Sequence, residues 1–205
     1  MTIKEFGGKI ASIWDTLRPV TKKMLVGALK SGSSPTASQH ARTHYDAHAD
    51  WEVSRLLTAL DEESRSSRVR KDAARLDEIT QLANICAQVL EAQSASAEVF
   101  IQLAGRAIKD NDYARLDRLA DLLGERYSAP EIAEIVRQTE LAQIRALAYE
   151  ALVMLPTAAI EPLLDDPLYA AIAVGTLEQK AFEFDSDEAR DLLEQLDAEN
   201  RGSAD

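Results

Sequence analysis

Apolar residues return every three or four positions along almost the whole chain, and no stretch alternates apolar with polar over the length of a strand. That period matches the turn of an α-helix rather than the two-residue repeat of a strand. Ile3, Phe6, Ile10, Ile13, Trp14 and Leu17 form one such stripe, continued by Val20, Met24, Leu25 and Leu29. Leu76, Ile79, Leu82, Ala83, Cys86, Val89 and Leu90 form another. The chain is 46% hydrophobic but only 5% aromatic, and alanine and leucine carry most of the apolar share, which favours helix over sheet. The predicted fold class is therefore all-α.

Punctuation divides this pattern. Pro19 removes a backbone donor and should split residues 1–30 into two amphipathic pieces. "SGSSP" (31–35) reads as a flexible joint, with Ser34 and Pro35 opening the next helix. A helix is expected from about Thr36 to Leu60, another from about Arg68 to Glu91, and a third from about Ala95 to Lys109, closed by "DND". Shorter segments follow. Ser128/Glu131 and Asp185/Glu188 have capping-box spacing, Pro156 and Thr157 separate two segments, and the last helix should end near Asp197. The predicted organisation is an N-terminal amphipathic arm (1–30), the joint (31–35), an all-α domain (36–198) and a disordered tail (199–205).

The short paired segments suggest a right-handed stack of helical hairpins, a solenoid. "IRALAYEALVML" (144–155) resembles the first helix of a HEAT repeat. "AIEPLLDDP" (159–167) is similar to the second helix and its Asp-Pro turn, and "YAAIAVGTL" (169–177) would begin another repeat. Ala170 stands where that pattern has arginine, and Gly175 is expected to interrupt the helix. The resemblance covers roughly residues 137–196. It implies a HEAT-like scaffold of the kind that binds proteins or nucleic acids, and it implies no catalytic residue.

Charge narrows the partner. The net charge is −12, which argues against nucleic acid, whose binding depends on neutralising phosphates. Residues 1–30 carry six Lys/Arg against two acids, whereas the stretch from Glu183 to the end carries nine acids against two arginines. A basic amphipathic segment can dock into a partner's groove or lie on an anionic membrane. No apolar run reaches the roughly 18 residues of a membrane span, and no signal-peptide pattern follows the N-terminus. The expected location is cytoplasmic, membrane-peripheral at most through residues 1–30. Cys86, the single cysteine, sits in an apolar helical context and reads as a core residue.

All three histidines fall in "HARTHYDAHADW" (40–51). On one continuous helix His40, His44 and Trp51 share a face away from the stripe of Ala41, Tyr45, Ala49, Val53, Leu56 and Leu60. His40 and His48 would stand about 12 Å apart along the axis, too far to share an ion, so a His40/His44 or His44/His48 pair is the most a metal could find. No further ligand is visible, and "HYDAH" lacks the glutamate of HExxH. Nor is there a glycine-rich phosphate loop or a nucleophile elbow. The reading is a non-enzymatic adaptor or assembly subunit without a cofactor. It binds another protein through its helical-repeat surface and the N-terminal arm, with Phe6, Ile10, Trp14, Leu17, His40, His44 and Trp51 as contact residues. The alternatives are a peripheral membrane protein anchored by residues 1–30, and a metal-binding protein or enzyme using His40, His44 or His48.

Overall fold

A computed structural model describes residues 6–31 and 46–202. Eleven α-helices and no strand are found among these residues, so the chain is all-α. No described helix is long and apolar enough to cross a membrane. The chain divides into two compact units, residues 1–99 and 100–205.

In the first unit α1 (Gly8–Thr16) and α2 (Pro19–Ser31) are separate helices. Pro19 opens α2 at the first helical position, where its missing N–H would have had no intrahelical partner. The main pair is α3 (Ala47–Ser64) and α4 (Ala73–Gln93), joined through a 3-10 turn at Val69–Lys71. α1 packs on α3, while α2 packs on α4 and α3. Leu56, Leu57 and Leu60 of α3, Ile79, Leu82 and Leu90 of α4, and Phe6 and Leu25 are fully buried. Each such side chain contributes about 1.5–3 kcal/mol relative to exposure. Gly7 has φ 137°, a conformation that L side chains rarely adopt. It turns the chain between the buried Phe6 and the start of α1.

This packing revises the expected arm. α1 and α2 are built into the first unit, because their apolar stripe finds the α3–α4 pair within the same unit. The helix expected from Thr36 is described only from Ala47. Of the 31–35 joint, Ser31 ends α2 and the rest lies outside the described residues.

α5 (Ala97–Asp110) crosses the boundary between the units, and the second unit continues with α6 (Tyr113–Arg126), α7 (Ala129–Gln138) and α8 (Ala142–Met154). α9 (Thr157–Ile160), a 3-10 turn at Glu161–Leu163, α10 (Ala170–Glu183) and α11 (Asp187–Gly202) complete it. α8 packs against α6, α7 and α10, and α10 also pairs with α11. "DND" closes α5 as predicted. Asn111 takes φ 55°, and the Asp112 N–H donates to Ala107 O at 2.9 Å, a left-handed helix stop. Lys180 of α10 donates to Val153 O at 2.7 Å and Leu155 O at 2.8 Å, placing a cation at the C-terminal end of α8. Glu134 of α7 accepts from the Arg137 fork at 2.6 and 2.5 Å and from the Tyr169 hydroxyl at 3.1 Å. Arg137 chiefly holds that carboxyl down at about 2, against a smaller upward push from burial.

Four local expectations change. The segment taken as a second repeat helix (159–167) is one α-turn followed by a 3-10 turn, because Pro162 has no N–H for the next bond and crowds the carbonyl four residues back. Gly175 does not interrupt α10, which runs unbroken across it. Ser186 rather than Asp185 caps α11: its hydroxyl accepts from Ala189 N at 3.3 Å, while Asp185 sits outside the helix at φ 50°. Finally, α11 runs to Gly202, past Asp197 and into the stretch expected to be a disordered tail.

A Cβ added at Gly175 meets nothing within 4 Å. Gly175→Ala should therefore stabilise the protein by about 1 kcal/mol, the helix-interior difference between the two residues, read as a higher urea midpoint with an unchanged m-value.

Candidate functional site

The exposed face of α3 owes its position to a buried carboxylate. Glu52 of α3 is only 2% exposed, yet its neighbours satisfy it. Arg18, in the corner between α1 and α2, donates its backbone N–H to Glu52 Oε1 at 2.6 Å and its Nε–H to Oε2 at 3.1 Å. The buried Thr21 hydroxyl also donates to Oε2, and His48 Nε2 lies 3.8 Å from Oε1. Burial pushes the Glu52 pKa up, but these donors together hold it below the ordinary carboxylate value.

The rest of the Arg18 guanidinium forks onto Asp46, Nη1 to Oδ2 at 2.9 Å and Nη2 to Oδ1 at 2.6 Å. Asp46 has extended φ and ψ and accepts from the Ala49 N–H at 2.9 Å. It is therefore the N-cap of α3, where an acceptor side chain satisfies an orphan backbone donor. Its carboxyl lies well below the ordinary range, first because of Arg18 and then because of the Ala49 N–H, while Arg18 is raised by Asp46 and Glu52.

The cap also sets where the helix that carries His48 starts. α3 begins at Ala47, so of the three histidines the described helix carries His48. His40 and His44 themselves lie outside the described residues. Among the described residues no group of three His, Cys, Asp or Glu side chains could hold a metal ion.

Of the other predicted contact residues, Phe6 (1% exposed), Ile10 (1%) and Leu17 (4%) are buried inside the first unit. Trp14 is half-buried. These side chains form the inner face of α1 and its flanks, so in this conformation they offer little surface to a partner. Trp51 is different. It is 55% exposed although it adjoins Glu52 in sequence, because residues next to each other on a helix point about 100° apart.

Trp51 is held from both sides. The His48 ring lies 5.6 Å from its ring, centroid to centroid, tilted by 48°. The Arg55 guanidinium carbon stands 5.2 Å from the ring centroid, within cation–π range. Beside it runs a groove of about 350 Å³, in which Ala47, Asp50, Trp51, Ser54 and Thr58 of α3 face Ser96 and Glu98. A second groove of about 360 Å³, bounded by Lys9 and Ser12 of α1, shares Arg55 and Thr58 with the first. Arg55 and Thr58 thus line both grooves. Sequence reasoning found Trp51 but missed Arg18, Asp46, Glu52 and Arg55. The aspartate immediately before an apolar-periodic run was a usable cap signal, as it is for Asp72 and Asp112, which accept from Arg75 N and Arg115 N, both at 3.1 Å.

The chain matches no family model, no curated protein and no solved structure.

The carboxylate anchor makes a signed prediction. Both Asp46 and Glu52 are depressed below their ordinary values of 3.8 and 4.5. Their contribution is fully present above those values and is lost as pH falls through the lower folded-state values. Stability should therefore decline as the pH drops below about 4.5, and Glu52→Gln should flatten that decline. At neutral pH Glu52→Gln should cost about 3 kcal/mol, the scale for breaking a buried ion pair by removing one partner. Urea titrations of both proteins from pH 7 to pH 3 check this; parallel curves would mean that Glu52 carries no linkage.

Proposed function

We propose that this chain is a non-enzymatic, cytoplasmic adaptor or assembly subunit that binds another protein through its helical surface. The observation that carries this reading is Trp51, an aromatic side chain more than half exposed and held by His48 and Arg55 beside an open groove. An aromatic anchor fixed before binding loses little side-chain entropy on contact, and tryptophan and arginine dominate interface energetics. The pairing of α7 with α8 and of α10 with α11 supports a helical-hairpin scaffold of HEAT-like kind.

The lipid-anchor alternative has less support. A membrane would need the stripe of Phe6, Ile10 and Leu17, and that stripe is buried in the first unit. Releasing it would break the packing of α1 on α3 and expose Glu52.

Trp51→Ala leaves the core untouched, so it tests the reading directly. Affinity purification from the native cell should identify a protein partner with wild type, and the purified pair should bind directly. Trp51→Ala should weaken that binding by about 2 kcal/mol, roughly thirtyfold, with no loss of thermal stability. A partner that binds both forms equally removes Trp51 from the interface; no direct protein partner and no self-association in native mass spectrometry would end the adaptor reading.

A further inference from the structure

The second unit carries a groove of its own, between α8 and α10, with a volume of about 630 Å³. Its apolar lining comes from Ala146, Tyr149, Val153 and Met154 on α8, from Gly175 on α10 and from Phe184 just past the end of α10. Met154 is 68% exposed and Phe184 55%, and Phe182 at the same end of α10 is 90% exposed. Large apolar side chains gathered around a groove mark an interaction surface. At Gly175 the helix has no side chain, and the space a Cβ would enter is open. From Gly175 to Glu183 the groove follows α10 for about 12 Å, room for about two turns of a helix laid against it.

Charge selects the occupant. The first unit is neutral, with 13 Lys/Arg and 13 Asp/Glu, whereas residues 100–205 carry 10 against 22, so the net −12 belongs to the second unit. Glu150 and Glu183 stand at the groove itself. The cations on the two helices are turned elsewhere: Lys180 donates to Val153 O and Leu155 O, and Arg145 donates to Thr139 O at 2.6 Å. An anionic membrane would be repelled, and a second copy of the chain would bring the same net charge. The helices α1 and α2 are packed within the first unit, and residues 32–45 hold few apolar side chains.

We infer that the α8–α10 groove binds an amphipathic helix of a partner protein, one whose apolar stripe is flanked by lysine and arginine. Met154, Tyr149 and Phe184 take the stripe, and Glu150 and Glu183 face the flanking cations. The inference rests on the reading of the chain as a protein-binding scaffold but uses a surface separate from the Trp51 face.

The probes are two labelled 18-residue helical peptides with the same leucine stripe, one with lysine flanks and one with glutamate flanks, titrated against the full chain by fluorescence anisotropy. The lysine peptide should bind and the glutamate peptide should not. Gly175→Leu, which fills the groove, should weaken binding at least tenfold, as should Glu150→Lys combined with Glu183→Lys. Trp51→Ala should leave it unchanged. Undiminished affinity in Gly175→Leu, or equal binding of both peptides, would overturn the inference. Should Gly175→Leu fail to fold, the two exposed glutamates decide, and undiminished affinity in their double variant is equally fatal. A dimer dissolved by Gly175→Leu, or flotation with phosphatidylserine vesicles that Gly175→Leu abolishes, would name a different occupant and overturn it too. Loss of peptide binding with Trp51-dependent partner binding intact would sink this inference alone.

Discussion

Among the described residues Glu52 is the one charged side chain that is buried, and much of the first unit depends on how it is satisfied. An unpaired carboxylate in that place would be severely penalised. Its donors come from three positions in the corner between α1 and α2: the Arg18 backbone, the Arg18 side chain and Thr21. A backbone donor cannot be moved by a rotamer change, so the corner itself must sit against α3. Arg18 then reaches Asp46, and Asp46 caps the helix that Glu52 belongs to. Four residues thus close a loop of constraints, from the end of α1 through the start of α3 and back. The rigidity of α3 at its first turns, and therefore the direction in which Trp51 projects, follows from that loop.

Much of this architecture was legible in the sequence, for reasons that can be named. Helical period, the split at Pro19 and the stop at "DND" are local physics, and local physics survives folding. The buried stripe of Ala49, Val53, Leu56 and Leu60 was readable for the same reason. What failed was reasoning that treated residues as interchangeable with their average roles. A helix drawn from Thr36 to Leu60 puts Asp46 in its middle, although its short side chain serves a helix start better than a helix interior. With that cap in place, α3 carries His48 alone among the described histidines. The pattern also marks Gly175 as a breaker, although a single glycine in an otherwise strong helix costs only about 1 kcal/mol. Pro162 was the real breaker within the supposed repeat.

The candidate site was less legible than the fold, because one pattern had two meanings. A basic amphipathic stripe such as Phe6, Ile10 and Leu17 is equally suited to a partner, a membrane or the chain's own core. Only the position of α3 and α4 decides, and that is non-local information. The Arg18–Glu52 pair spans 34 residues, and nothing in the period of either helix announces it. Trp51 was easier, since its position relative to Val53 and Leu56 on one helix already turned it away from the core.

The two units meet the electrostatic problem by different means. In the first, charges balance overall and the decisive carboxylate, Glu52, is buried, so salt screens its pairing with Arg18 weakly. In the second, 22 acids face 10 bases, and the compact state is opposed by its own repulsion. That repulsion is reduced locally where cations are held at fixed points, as Arg137 is on Glu134 and as Arg190 is on Asp185 and Asp187. It is left largely uncompensated along the exposed sides of α8 and α10. A surface that combines uncompensated negative charge with open apolar side chains gains most from a ligand that is both cationic and apolar. Such a ligand relieves repulsion while it buries Met154 and Phe184, and those two gains arise from the same contact.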